Sequence, residues 1–296
     1  MQDELFIRDL GDGLILRHAS RRDAAALADF NSRIHSDDGP DHPDLRVAAW
    51  TRDLLVKPHP TLTPRDFTII EETASGRIVS SLNLIPQTWA YEGIPFGVGR
   101  PELVGTLPEF RGRGLVRAQF DEIHRWCVER DLPVQVITGI PYFYRQFGYE
   151  MALELLARRI GFEPNLPKLK KGEKEPCHIR PARAADLSFI AKSYIRAQER
   201  YAITCLWNKD LFAYGLNLQN RQNLNRFPVC ILEDARRRRI GYFQYTENHG
   251  IRGLLALGYE LEPGNSWLEL TPAVARYLWK KGDEIMKRKG GACSAF

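Results

Sequence analysis

The sequence predicts an α+β fold in which a mixed, mainly antiparallel sheet carries helices on both faces, and it predicts this pattern twice. Leu103–Val116 reads as a short apolar strand, a glycine–arginine turn and the start of an amphipathic helix. The sequence around Arg17 recurs around Arg180 at an offset of 163, and the segment around Ile69 recurs around Ile231 at an offset of 162. Two nearly equal offsets indicate an internal duplication.

Each copy predicts the same order of elements. A strand that ends at Arg17 or Arg180 leads into a helix, and a strand–turn–strand hairpin follows. The first copy then continues to the central strand at Leu103. The next helix has one apolar face, and after it Leu132–Thr138 predicts a buried strand.

The repeat and a charged segment predict the domain limits. Pro164–Pro167 and the charged run Lys168–Glu175 are typical of a linker, so we expect a first domain over 1–165, a linker over 166–176 and a second domain over 177–296. After a helix over about Pro272 to Lys289, the second copy stops about fifty residues short of a full repeat. Either the native chain continues beyond Phe296, which we favour, or another element completes that sheet.

Composition excludes several classes of protein. The 296 residues are 44% hydrophobic and 27% charged, which is ordinary for a globular chain long enough for two domains. Neither an apolar run of about 18 residues nor a signal-peptide pattern occurs, so we expect a cytoplasmic protein without membrane segments. Five scattered cysteines favour neither disulfides nor a zinc site. The run Arg236–Arg239 is short, and we interpret it as a solvated hairpin loop rather than a nucleic-acid surface.

The turn before the second helix of the first copy has the chemistry of a pyrophosphate site. Gly112 and Gly114 remove side chains where a backbone can approach a ligand, and Arg111 and Arg113 add positive charge. The free N–H groups of a helix N-terminus favour anionic oxygens. The turn matches neither the nucleoside-triphosphate loop nor the dinucleotide loop.

Two motifs resemble the GNAT superfamily of acetyl-CoA-dependent N-acetyltransferases. Its signature [QR]-x-x-G-x-[GA] is matched at Arg111 and Gly114, with Val116 in place of the final small residue, and its aromatic turn Y-x-x-x-G-[FY] is matched by Tyr144–Tyr149. The resemblance covers about residues 14–165. More narrowly, the chain resembles the Eis (enhanced intracellular survival) type, whose members are larger, multidomain and oligomeric, so a homo-oligomer is implied as an expectation.

The resemblance implies acetyl-CoA as cosubstrate, without a metal, and direct transfer of the acetyl group to a primary amine of a small molecule or peptide. It implies a cosubstrate site formed by a strand edge and the following turn, at Val104, Gly105, Thr106, Arg111, Gly112, Arg113, Gly114, Leu115 and Val116. Tyr144 would be the general acid. Glu102 is a candidate general base or an exposed charge at a strand end. The alternative function is a non-catalytic acyl-CoA-binding sensor or scaffold.

Two further segments leave alternatives open. His35–Asp44 is acidic, and Asp37, Asp38 and Asp41 are candidates on the acceptor side that would attract cationic amines. The same segment fits a solvated loop, and its spacing matches no recognised metal pattern. In the second copy the corresponding turn, Glu262–Trp267, lacks the glycine–arginine chemistry. We therefore expect a degenerate second domain that is structural or shapes the substrate site.

Overall fold

The computed structural model describes residues 5–153, 160–247, 253–288 and 290–296. The chain forms two compact units, and each unit consists of several separate segments of the sequence. Unit 1 comprises Met1–Leu155, Tyr201–Tyr214 and Leu218–Asn225, and unit 2 comprises Leu156–Arg200, Gly215–Asn217 and Arg226–Phe296.

The described residues form both strands and helices. The strands are β1 (Phe6–Gly11), β2 (Leu14–His18), β3 (Phe67–Glu72), β4 (Arg77–Tyr91), β5 (Ile94–Thr106), β6 (Val134–Gln135), β7 (His178–Pro181), β8 (Ile203–Cys205), β9 (Val229–Glu233), β10 (Arg239–Glu247) and β11 (Leu254–Leu261). The helices are α1 (Ala24–Ile34), α2 (Leu45–Val56), α3 (Leu115–Glu129), α4 (Leu187–Gln198), α5 (Lys209–Ala213) and α6 (Trp267–Arg288). Among the described residues, no helix combines the length and apolar character needed to span a bilayer.

Unit 1 is built on a mixed sheet in the order β1, β2, β3, β4, β5, β6, with β8 beside β4. All neighbouring strands are antiparallel except β5 and β6, which are joined by α3 in the crossover that a parallel pair requires. Leu84 packs with α3, and the next residue, Ile85, packs with α1 and α2. Because successive side chains of a strand point to opposite faces, the helices cover both faces, as predicted.

The predicted buried strand Leu132–Thr138 is much shorter than expected. Only Val134 and Gln135 are in β6, and Val134 is 41% exposed. These two residues pair with Val98 and Gly99 of β5. The remaining apolar residues of the segment lie beyond that pairing, so hydrophobicity alone did not define a strand.

Unit 2 contains an antiparallel sheet in the order β11, β10, β9, β7. The connection β7, β9, β10, β11, α6 repeats the strand order β2, β3, β4, β5, α3 of unit 1. Helix α6 begins at Trp267 rather than at Pro272, which lies inside the helix. The proline removes one backbone hydrogen bond near the helix start without ending the helix. The predicted helix end at Lys289 lies outside the described residues.

An arginine of unit 1 joins two strands to the start of α1. Arg17 Nε lies 2.9 Å from Glu71 Oε2 on β3, and Arg17 Nη2 lies 2.8 Å from Asp23 Oδ1. Asp23 also accepts a hydrogen bond from the backbone N–H of Ser20 at 2.7 Å. Both partners of Arg17 are charged and the guanidinium is largely buried, so these charge-assisted bonds are stronger than neutral ones.

The same network recurs in unit 2. Arg180 Nε lies 2.6 Å from Glu233 Oε1 on β9, and its Nη1 lies 2.7 Å from Asp186 Oδ2. Asp186 accepts from the backbone N–H of Arg183 at 2.8 Å. The two halves of the chain therefore share a strand order and the hydrogen-bonded arginine that connects its first strands.

The compact units divide the chain differently from the predicted domains. The first segment of unit 1 ends at Leu155 rather than at 165, and the predicted linker 166–176 lies within unit 2. Residues 201–214 and 218–225, which follow the predicted linker, pack as part of unit 1. Ile203 and Cys205 of β8 pair with Tyr91 and Trp89 of β4. A segment from the second half of the sequence thus completes the sheet of unit 1.

A buried carboxylate holds this segment on α2. Asp53 is 3% exposed, and its Oδ2 accepts hydrogen bonds from the backbone N–H of Asn220 at 2.6 Å and from Asn223 Nδ2 at 2.7 Å. Removing the carboxylate would leave the buried Asn223 amide and the backbone N–H of Asn220 without their acceptor.

We expect Asp53→Ala to lower the free energy of unfolding by about 2–4 kcal/mol, because breaking a buried charged hydrogen-bond pair is strongly destabilising. Chemical denaturation followed by tryptophan fluorescence measures the change. Asp29→Ala is the control, because Asp29 makes an exposed ion pair with Arg33 and its loss should cost no more than about 0.5 kcal/mol. Equal stability of the two variants would contradict the role of Asp53.

Candidate active site

The strand predicted to bind the cosubstrate contains a β-bulge. Leu103 and Val104 of β5 lie opposite the single residue Leu82 of β4, between the regular positions Glu102 and Gly105. Leu103 has a φ of +53°, which is rare for a residue with a large side chain. Its side chain is buried in the core formed with α1 and α2. Bulges of this kind bend a strand and redirect its neighbouring side chains.

The same half of β5 has a free edge. The pairing of β5 with β6 ends at Gly99 and Gln135, and the last backbone hydrogen bond runs from the N–H of Val136 to the carbonyl of Gly99. β5 continues for seven residues, from Arg100 to Thr106. Within the described chain, no strand pairs with this stretch on the β6 side. The predicted cosubstrate residues Val104, Gly105 and Thr106 therefore lie where backbone groups face an open edge.

Gly105 brings β5 close to the end of α1. A Cβ atom at this position would lie 2.5 Å from Ile34 Cγ2 and 3.6 Å from His35 Nε2. The glycine is therefore required by the approach of α1, a constraint separate from the predicted approach of a ligand.

The glycine–arginine turn has the backbone of a helix N-terminal site. Gly112 and Gly114 have φ values of +76° and +73°, and an added Cβ at either would meet no atom within 4 Å. The first turn of α3 has no side-chain cap. Arg111 Nε donates to the carbonyl of Thr106 at 3.3 Å, and Arg113 lies over the ring of Phe110. The two glycines thus serve the left-handed turn and leave open space beside the helix start.

The rest of the predicted cosubstrate set lies at the start of α3. Leu115 is buried, and Val116 is half-buried against the core on the α3 face. The next residue is Arg117, whose Nη2 donates to Gln146 Oε1 at 3.2 Å and whose guanidinium lies over the ring of Phe147. Arg117 therefore connects α3 to the aromatic turn that carries Tyr144.

Tyr144 is half-buried in this turn. Its ring packs edge-on against Phe120, Phe143 and Tyr149. Burial, and secondarily the charge of Glu102, raises the pKa of its phenol to about 12. The phenol is therefore protonated at neutral pH and can donate a proton.

Glu102 lies directly before the bulge, and 12% of its side chain is exposed. Burial raises its pKa above the usual value, against the opposing effect of Arg100. Arg100 Nη2 lies 2.5 Å from Glu102 Oε1, but that oxygen accepts no hydrogen bond of normal geometry within the described residues. The alternative of an exposed charge at a strand end does not fit this burial.

The structure adds polar residues that the motifs did not indicate. Asn83 of β4 lies directly opposite Glu102, and Ser81 lies opposite Gly105, both with 0% exposure. His35 follows α1, and the backbone of Leu103 hydrogen-bonds its imidazole. The sequence signal for these residues is the alternation of Ser81 and Asn83 with apolar residues along β4.

The acidic segment forms an exposed loop between α1 and α2. Asp37, Asp38 and Asp41 are exposed, whereas Asp44 caps α2 by accepting from the N–H of Arg46 at 2.8 Å. Across the parts of the chain that the structure describes, no group of three or more His, Cys, Asp or Glu side chains could hold a metal ion. Asp44 thus has a local structural role, and the other three remain candidates for the acceptor side.

Residues 40–152 match the family model described as the acetyltransferase (GNAT) domain. The matched range includes the bulge, the glycine–arginine turn and Tyr144. A search of curated proteins found no match. The match supports the predicted GNAT resemblance for the part of unit 1 that it covers.

Solved structures share the fold at low sequence identity. A probable N-acyltransferase from Enterococcus faecalis V583 is 15% identical over 88% of this chain and 61% of its own, with a TM-score of 0.61. Saccharomyces cerevisiae N-myristoyltransferase with bound myristoyl-CoA is 12% identical over 99% of this chain and 78% of its own, with a TM-score of 0.64. A GCN5-related N-acetyltransferase from Kribbella flavida is 15% identical over 95% of this chain and 62% of its own, with a TM-score of 0.55. The chain thus spans less than two thirds of the E. faecalis and K. flavida proteins, and the predicted GNAT-like fold is confirmed.

We expect Gly105→Ala to lower the free energy of unfolding by about 1–3 kcal/mol, because the added methyl group would overlap Ile34 and force α1 away from β5. Chemical denaturation measures the change. Gly258→Ala in β11 is the matched control, since its Cβ would lie 3.5 Å from Gln244 Oε1, an ordinary contact. A Gly105→Ala protein as stable as this control would show that α1 does not constrain the strand.

Proposed function

We propose that the chain is an acetyl-CoA-dependent N-acetyltransferase that moves the acetyl group directly from the thioester to a primary amine of a small molecule or peptide. One observation carries the proposal: the free edge of β5 beside its bulge leads directly into the glycine–arginine turn and the uncapped start of α3. A strand edge with free backbone groups suits an amide-bearing pantetheine arm, and a helix N-terminus suits a pyrophosphate.

The proposed cosubstrate site uses backbone groups more than side chains. Val104, Gly105 and Thr106 would hydrogen-bond the pantetheine arm, and Gly112–Val116 would bind the pyrophosphate through N–H groups. Arg111 and Arg113 lie beside this turn and are exposed. Arg113 forms an ion pair with Asp12 at 3.1 Å, and a phosphate would compete with this exposed carboxylate for the guanidinium. The yeast relative contains bound myristoyl-CoA, which supports a CoA thioester as the cosubstrate class.

The proposed chemistry uses two proton-transfer groups. As the neutral amine attacks the thioester carbonyl carbon, the new C–N bond forms and the C–S bond breaks. Glu102 receives the amine proton, directly or through water, and a raised pKa makes its carboxylate a stronger base. Tyr144 gives its proton to the departing CoA thiolate. The charge of Glu102 contributes to the raised pKa of the Tyr144 phenol, which supports a role for both groups near the same reacting atoms.

We further infer that unit 2 is built largely from a degenerate second copy, as in a tandem Eis-like protein. The shared strand order and the repeated arginine network support a common origin for the two halves. At the position of the turn, Glu262 Oε1 accepts hydrogen bonds from Arg196 at 2.8 Å and Ser193 at 2.7 Å. A carboxylate in this place disfavours an anionic ligand, so acyl-CoA binding is assigned to unit 1 alone.

The competing function is an acyl-CoA-binding sensor or scaffold without turnover. It would use the same strand edge and turn, but would not need the proton donor Tyr144 or the buried carboxylate of Glu102. Burial raises the pKa of Glu102 by disfavouring its charged form. A general base benefits from a raised pKa, whereas a protein that only binds acyl-CoA does not. This contrast favours the enzyme.

We expect calorimetry to detect acetyl-CoA binding to the wild type, with affinity at least about tenfold lower in Arg111→Ala/Arg113→Ala because phosphate contacts are lost. The same samples are then tested for CoA release with an amine panel, and myristoyl-CoA is compared with acetyl-CoA. Arg236→Ala/Arg238→Ala, in the β9–β10 turn, is the charge-matched control and should bind normally. Binding without release by any amine would favour the sensor, and no binding by the folded wild type would refute the proposal.

We expect Tyr144→Phe to lower kcat by about a hundredfold, the usual contribution of a positioned general acid, with unchanged acetyl-CoA affinity. Because the phenol has a pKa of about 12, the wild-type rate should show no loss of this proton donor below about pH 10. Steady-state kinetics from pH 6 to about pH 10 test both points. Tyr142→Phe is the control, as Tyr142 is 66% exposed in the same turn. Full turnover by Tyr144→Phe would exclude its role as the acid.

A further inference from the structure

Polar side chains on the α3 face of the unit 1 sheet form a complete hydrogen-bond network. Ser80 Oγ donates to Gln119 Oε1 at 2.7 Å, and Gln119 Nε2 donates to Thr68 Oγ1 at 2.9 Å. Thr68 Oγ1 donates in turn to the carbonyl of Leu82 at 2.9 Å. The fold thus satisfies buried polar groups on this face, as is usual in proteins.

The opposite face, covered by α1, carries polar atoms that the protein does not satisfy. Asn31 Oδ1, His35 Nε2, Ser81 Oγ and both amide atoms of Asn83 are buried without a hydrogen-bond partner in the described part of the chain. Each such group loses its hydration on folding and gains no bond in return. Several of them together on one face need an explanation beyond the fold.

The backbone brings these groups to one place. Ser81 and Asn83 are two residues apart on β4 and therefore point to the same face. Their partners across the strand pair are Gly105 and Glu102, and His35 Nε2 lies 3.6 Å from the Cβ position of Gly105. The fourth residue, Asn31, lies one helical turn before His35, and its carbonyl accepts a hydrogen bond from the backbone N–H of His35. The cluster, here called the α1-face polar cluster, thus adjoins the bulge and the proposed base Glu102.

The unsatisfied atoms include both hydrogen-bond acceptors and hydrogen-bond donors. Asn31 Oδ1 and Asn83 Oδ1 are hydrogen-bond acceptors. Burial lowers the pKa of His35 and keeps its imidazole neutral, so Nε2 accepts or donates according to the tautomer. The carboxylate of Glu102 adds a charged acceptor beside them. Asn83 Nδ2 and the Ser81 hydroxyl are the donors. Such a set fits a ligand with several N–H or O–H donors.

We propose that the α1-face polar cluster is the acceptor subsite and that it selects a donor-rich primary amine, one flanked by hydroxyl or further amino groups. The inference rests on the proposed acetyltransferase function and names its substrate class. The ligand's donors would supply the hydrogen bonds that the unliganded protein lacks. An alkylamine without such groups would leave the same atoms unsatisfied and would bind less tightly.

The first test uses stability, which does not depend on activity. Asn83→Leu replaces an unsatisfied amide by an apolar group of similar volume, so we expect the Tm of the unliganded protein to rise. Gln119→Met is the matched control on the α3 face, where the same kind of change unpairs Ser80 and Thr68 and should lower the Tm. A fall in Tm for both variants would show that Asn83 is satisfied in the folded protein and would overturn the proposal.

The second test uses two amines of nearly equal shape, 2-amino-1,3-propanediol and 3-aminopentane, in which hydroxyl groups replace methyl groups. We expect the wild type to acetylate the diol with a kcat/KM at least about tenfold higher than that of the alkylamine. Asn83→Leu should reduce this ratio toward one, mainly through a higher KM for the diol, while Gln119→Met should retain it. If Asn83→Leu folds poorly, Ser81→Ala serves as the second variant.

The outcomes separate this proposal from the one on which it rests. If the wild type does not bind acetyl-CoA, both proposals fail. If it binds acetyl-CoA and releases CoA with amines, but shows no preference for the diol or keeps its preference in Asn83→Leu and Ser81→Ala, only the subsite is refuted. The last result would assign the cluster to ordered waters.

Discussion

The positive φ of one residue, Leu103, determines the chemistry available to unit 1. The residue is held in this conformation because its side chain is buried with α1 and α2, so the core stabilises a backbone that would otherwise be unfavourable. The resulting bulge changes the register of β5 against β4. Glu102 and Gly105 thereby face α1, and the same half of the strand has a free edge because β6 is only two residues long. A regular strand with a full-length neighbour would offer neither feature.

The two faces of the sheet around β5 differ in how their polar side chains are hydrogen-bonded. The α3 face is fully hydrogen-bonded and fixes the helix whose N-terminus forms the turn at Gly112 and Gly114. The α1 face leaves polar atoms without partners near Glu102. In the proposed function, the α3 face of the sheet serves stability and the α1 face serves recognition. Unit 2 contains the same first strands and the same arginine network, but an ion pair at Glu262 occupies the position of the turn. The scaffold recurs, whereas the features suited to an acyl-CoA do not.

Local patterns in the sequence predicted much of the fold and part of the site. The repeat found the shared strand order, because hairpins and helix starts such as Ser20–Asp23 depend on neighbouring residues. The sequence indicates the glycines of the turn as positions where a backbone without side chains can approach a ligand, and the structure adds that both have positive φ values, which favour glycine. The bulge was not foreseen, since Leu103 is an apolar residue in an apolar strand and reveals no irregularity.

Other features depend on partners far away in the sequence. The short strand β8 pairs with β4 across more than 110 residues of sequence, and Asp53 lies 167 residues from Asn220. No local pattern can indicate either pairing. The polar cluster was missed because Ser81 and Asn83 acquire meaning only when α1 and the bulge are placed beside them. Helix α6 began earlier than expected because Pro272 was interpreted as its first residue, although a proline is tolerated near a helix start.

The membership of Tyr201–Tyr214 and Leu218–Asn225 in unit 1 has a consequence for biosynthesis. A ribosome adds about 5–20 residues per second, so the roughly 70 residues between Leu155 and Asn225 take about 4–14 seconds to synthesise. During that interval the edge of β4 at Trp89–Tyr91 lacks its strand, and Asp53 lacks its donors. Until that segment is synthesised, the sheet of the nascent chain lacks β8. Its exposed edge can pair with other chains during this time. Folding of the first half is thus coupled to translation of the second.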